Sequence, residues 1–177
     1  MSETLADRYW AVRFESRRRQ FYYSGRMTFW AWLDSLAQIA GFMTATAAFV
    51  ALAQGHDAFG KWSALLVATL SALAICLKAG ERARECQRLY SAYVNIEGMV
   101  PPPDHAEQTA ASADMAEAEL RRINSCIGWG MPCYDALCYN DACVSFGIKP
   151  ACDFSWIERT IGRWLPIRYT YKVMTNA

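Results

Sequence analysis

At 177 residues and 20.0 kDa the chain is sized for one compact unit or a small two-part protein. Hydrophobic residues make up 54% and charged residues 20%, which is apolar for a small domain, yet a mean hydropathy of 0.00 excludes a chain that is membrane throughout. A net charge of +1 and a pI near 7.5 exclude a globally basic nucleic-acid binder, and no nucleic acid is expected as a partner.

The first 34 residues carry no apolar core of a secretory signal. The seven cysteines are therefore expected as reduced thiols rather than a disulfide framework. Residues 5–28 read as a helix rich in arginine and aromatics. Trp10, Phe14 and Phe21 lie near one face, with Arg13, Arg17, Arg18, Arg19 and Arg26 beside it. Such an amphipathic helix suits an anionic membrane surface, each basic residue contributing on the order of 1 kcal/mol. A stem that simply extends the next segment is the other reading.

From Ser35 to His56 no Asp, Glu, Lys or Arg occurs. The spacing predicts a first span over about 33–53 and, after a short polar link, a second over about 61–78, bracketed by Lys61 and Lys78. Trp30, Trp32, Phe59 and Trp62 fall where an aromatic belt would sit, and basic residues crowd the outer side of both spans. The expectation is an all-α membrane protein: a two-span hairpin in the inner (cytoplasmic) membrane, in contact with the lipid bilayer, with both termini cytoplasmic. A hairpin buried in a helical bundle outside any bilayer is the alternative.

Asp34 and Gln38 sit one turn apart at the entrance of the first span. They read either as pore-mouth polar groups or as wet interfacial groups, with Asp34 paired to Arg26 or Lys78. Ala37, Gly41 and Ala45 recur at every fourth position of the first span, and Ala64, Ala68 and Ala72 do so in the second. Small residues at that period let helices approach closely, within one hairpin or between copies, so a homo-oligomer is expected.

Beyond Leu77 the helical pattern continues without a breaker to Gly98, and Pro101, Pro102 and Pro103 stop it. The chain then divides into 1–100, the N-terminal helix with the hairpin and its extension, and a cytoplasmic helical region over 104–177. In the second part Asp104 and Glu107 look like a capping box opening a helix that runs through Ser125. A helix over 133–146 is expected to end at Gly147. Ser155 and Glu158 open another, bearing Trp156, Ile157, Ile161, Trp164 and Leu165 and stopped by Pro166. Residues 167–173 are expected as an extended tail.

The spacing of Cys126, Cys133, Cys138, Cys143 and Cys152 lacks the close pairs of a zinc knuckle, and the two histidines, His56 and His105, fall far apart. No phosphate loop, nucleophile elbow or metalloprotease motif occurs, so no metal, cofactor or catalytic residue is expected.

The run Arg17-Arg-Arg-Gln-Phe-Tyr-Tyr23, the closely spaced hairpin and the charged helix from Lys78 to Met99 together resemble the SLATT family of small prokaryotic two-helix membrane proteins. The likeness covers roughly residues 8–160; the cysteine-rich end departs from it. It implies an oligomeric, pore-forming or membrane-disrupting effector in nucleotide-signal-linked antiviral defence, governed by a cytoplasmic signalling or sensor partner. A non-pore membrane scaffold or regulator, such as a prophage-encoded exclusion protein, is the rival reading.

Overall fold

The computed structural model describes residues 4–53, 61–62, 65–66, 68–69, 72, 76–100, 109–125 and 130–164. The described elements are helices: α1 (Leu5–Ala53), α2 (Ala79–Met99), α3 (Ala110–Ser125), α4 (Pro132–Ser145) and α5 (Trp156–Ile161). The described residues within 61–77 are helical as well. The all-α expectation holds among them.

The membrane part does not. Among the described residues, no helix is long and apolar enough to cross a membrane. This overturns the two-span hairpin, the membrane fold class and the inner-membrane placement. Only 16 residues separate Lys61 from Lys78, against the roughly 20 that a helix needs to cross a hydrocarbon core about 30 Å thick. The apolar half of α1 is diluted by alanine, by Gln38, and by the hydroxyls of Ser35, Thr44 and Thr46.

The chain forms two compact units, Met1–Ser24 with Arg88–Ala177, and Gly25–Gln87. The division falls inside α1 and α2 and not at the prolines.

In the first unit the lead-in segment is a core helix, not an amphipathic helix lying on a surface. Tyr9, Val12, Phe14, Ser16, Gln20, Tyr22 and Tyr23 are all buried. Tyr93 and Ile96 of α2, Ala113 and Ala116 of α3, and Cys133, Ala136, Cys138 and Ala142 of α4 complete the core. Alanine at the contact positions of α3 and α4 lets these helices pack closely, and aromatic rings fill the remaining space. Phe14 meets Tyr139 edge-on at 5.1 Å, and Tyr23 stacks on Tyr93 at 5.7 Å.

Helix ends follow local chemistry. The Thr109 side chain accepts from the Ser112 backbone N–H at 3.3 Å and so caps α3; the capping box anticipated at Asp104 and Glu107 lies outside the described residues. Pro132 opens α4, where its missing N–H costs nothing. Gly147, at φ +72, closes it: Ile148 N–H donates to the Cys143 carbonyl and Gly147 N–H to that of Val144. Asn140 fastens the next loop, donating to the Cys152 carbonyl at 2.6 Å and accepting from Ala151 and Cys152 N–H. Ser155 and Glu158 form the anticipated capping box, but α5 has only six residues and none is buried. Pro166 and the tail lie outside the described residues.

In the second unit α1 is paired with the start of α2. The helical pattern expected to run unbroken past Leu77 is interrupted at Lys78, whose φ of 48° is left-handed. Ala79 is buried immediately after this turn, and Gly80 lies against the Asp34 carboxylate.

Candidate assembly surface

Two kinds of site emerge, one charged and inward, one apolar and outward. The charged one is in the first unit. Arg18 and Arg19 both reach Glu15, at 3.1 and 2.8 Å, and both reach Asp135 in the first turn of α4, Arg19 at 3.5 Å. These side chains are only about a fifth exposed, and Asp135 at a helix N-terminus also complements the helix dipole. Burial opposes the charge of Arg19, but the Glu15 and Asp135 carboxylates outweigh it and hold its pKa above the ordinary value. Arg17 pairs with Glu97 of α2 at 2.9 Å. Gln20 donates to Glu97 at 2.5 Å and to the Tyr93 carbonyl at 3.4 Å. The Tyr93 phenol, fully buried, donates to Asn124 Oδ1 at 2.6 Å, and burial pushes its pKa up to about 12.

Of the arginines anticipated as a membrane-facing patch, Arg17, Arg18 and Arg19 are thus placed against acidic partners of the chain. Arg13 is half-buried, and its Nε is buried without a partner among the described residues. Arg26, in the second unit, stacks over the rings of Phe29 and Trp30 at 5.6 and 5.2 Å. Arg82 lies over the same Trp30 ring at 4.8 Å. Trp30 is therefore a buried stacking partner and not an interfacial anchor.

Asp34 is half-buried and accepts from Gln38 Nε2 at 2.9 Å. Asp34 lies beside Gly80 at the start of α2, and neither residue is brought to a pore among the described residues. Ala37 and Gly41 are half-buried, whereas Ala45, Ala68 and Ala72 are exposed. Ala64 lies outside the described residues. A shallow groove of about 510 Å³ runs along Met27, Ala31 and Ser35 of α1 and Ala83, Arg84 and Gln87 of α2.

Among the described residues no group of three or more His, Cys, Asp or Glu is arranged to hold a metal ion, and Cys126 lies outside them. Cys133, Cys138 and Cys143 are buried free thiols, Cys152 is buried as well, and burial pushes Cys138 up to about 12.

The outward site is the apolar half of α1. Large hydrophobic side chains stand clear of the molecule there: Trp32 is 58% exposed, Ile39 56%, Phe42 76%, Met43 66% and Phe49 74%. Trp62, Leu65 and Leu66 are likewise exposed.

No family model, curated protein or solved structure matches this chain.

The small-residue spacing points to neither site. The polar groups that matter inside, Gln20, Glu97, Asn124 and Asp135, have no local signature, because their partners are distant in sequence. The outward site did have one: large apolar residues alternate at intervals of four and three along α1. Lone exposed hydrophobics are ordinary on protein surfaces; a contiguous group of this size is not.

Proposed function

We propose that this chain is a self-assembling helical scaffold. The Met1–Ser24 and Arg88–Ala177 unit supplies a bundle held by internal ion pairs, and the Gly25–Gln87 unit supplies the assembly element. The observation that carries this reading is the set of large hydrophobic side chains left exposed on α1 and on the helical residues of 61–77. Hydrophobic burial at about 25 cal/mol per Å² makes such a surface costly in water and favourable to cover.

This keeps the assembly part of the reading drawn from the sequence and drops the bilayer-crossing part. The first unit carries a second, smaller apolar group, Trp156, Ile157 and Trp164, all exposed on and after α5. In a scaffold this is where a separate signalling partner would be held.

The test is the native mass of the full chain by light scattering across concentration. The scaffold reading expects a multiple of 20.0 kDa. It also expects that W156S with W164S leaves that mass unchanged. A mass of one chain at every concentration would overturn it.

A further inference from the structure

Within the exposed half of α1, Trp32, Leu36, Ile39, Met43 and Val50 follow one another at intervals of four, three, four and seven. Thr46 fills the missing place, so that 32, 36, 39, 43, 46 and 50 make an unbroken four–three alternation. That is the spacing of the a and d positions of a heptad, which lines one narrow stripe of a helix and meets a like stripe by knobs-into-holes packing. Phe42 and Phe49 stand one place before Met43 and Val50, at flanking positions that widen the stripe.

All the large members are exposed, from 41% at Leu36 to 76% at Phe42. The half-buried positions of the same stretch, Leu33, Asp34, Ala37, Ala40, Gly41 and Thr44, lie on the opposite side. The small-residue stripe and the large-residue stripe are thus two different faces of one helix.

We propose that the occupant of the large-residue stripe is the same stripe on a second copy of this chain. Three observations support that choice. The alternation is self-complementary, as an interface between identical partners requires. The seven side chains, three of them aromatics of about 150–250 Å² each, are 41–76% exposed and present several hundred Å² of apolar surface, on the scale of the roughly 800 Å² that each partner contributes to a standard interface. The stretch from Ser35 to Ala53 carries no charged residue, so nothing in it repels an identical helix. The one polar member, Thr46, already donates its hydroxyl to the Phe42 carbonyl at 2.9 Å and can be covered without leaving an orphan donor.

This inference rests on the scaffold reading and names its partner. The test is sedimentation equilibrium of the full chain with L36Q/M43Q, and separately with I39N. Control substitutions A37S and G41S fall on the opposite face. All five positions are checked for unchanged helix content by circular dichroism. The substituted side chains on the stripe are solvent-exposed in the single chain, so the fold does not depend on them. The stripe variants are expected to associate at least about 100-fold more weakly than the unaltered chain, with the controls within about threefold.

If the unaltered chain associates and the stripe variants associate equally well, the stripe is overturned while the scaffold reading stands. If the unaltered chain is a single chain at all concentrations, both fall. If it instead floats with phosphatidylcholine vesicles as a single chain, and the stripe variants no longer float, the occupant is lipid and the second copy is overturned.

Discussion

Replacing Asp135 by asparagine removes the carboxylate that accepts from both Arg18 and Arg19, joining α4 to α1. The three side chains are 17–23% exposed. Breaking a fully buried pair by deleting one partner costs about 3–5 kcal/mol. Residual solvent contact, and the Glu15 carboxylate that still receives both arginines, reduce this to about 2 kcal/mol here. Loss of a negative charge in the first turn of α4 adds about 0.5 kcal/mol. At roughly 2–4 °C per kcal/mol for a chain of this size, the thermal midpoint should fall by about 5–10 °C. The assay is thermal unfolding followed by circular dichroism at pH 7, as a double-mutant cycle with R18Q. The double variant should lose less than the sum of the singles, with a coupling of about 1 kcal/mol or more. A D135N midpoint within 1 °C of the unaltered chain, or strict additivity, would refute the claim that this pair clamps α4.

Three further outcomes follow from the same unit. The hydrogen bond from Arg8 holds the Glu117 carboxyl below its ordinary value of 4.5. A depressed carboxyl stabilises the fold fully above its unfolded pKa and loses that contribution as pH falls through its folded one. The urea midpoint should therefore be flat from pH 7 to 5 and drop below about 4.5, with E117Q flattening part of the drop; an identical acid slope in E117Q would refute the assignment. Cys138, its thiol raised to about 12 by burial, should resist iodoacetamide at pH 8 until the chain unfolds, whereas the exposed Cys76 reacts at once; equal alkylation of the two in peptide maps of the folded protein would contradict the burial. A methyl group at Gly162 would collide with Cys133 Sγ and the Glu158 carbonyl. G162A should therefore cost about 1–3 kcal/mol, seen as a lower thermal midpoint, and an unchanged midpoint would show that α5 can shift freely.

What could be read from the sequence was local. The cap at Ser155 and the stop at Gly147 each depend on residues within one turn, and each stands where its chemistry put it. The arginines suggest a membrane-facing patch because only Glu15 among their acidic partners is near in the chain; Arg18 meets Asp135 across 117 residues. The interruption at Lys78 was invisible, since lysine is an ordinary helix former and its left-handed backbone comes from the turn it occupies. The bilayer reading weighed the absence of charge over Ser35–His56 above the dilution of that stretch by alanine and hydroxyl groups. The candidate assembly surface was visible in the spacing of Trp32, Leu36, Ile39 and Met43. The small residues Ala37 and Gly41 lie on the opposite side of the same helix.

The most direct measurement is side-chain oxidation by hydroxyl radicals on the full chain, read by mass spectrometry at low and high protein concentration. Met43 and Met115 are 66% and 65% exposed in the single chain, so each is the other's control. The account predicts that oxidation of Met43 and Trp32 falls several-fold as the chain assembles while Met115 stays constant. Equal oxidation of Met43 at all concentrations, in a sample shown to be assembled, would contradict it.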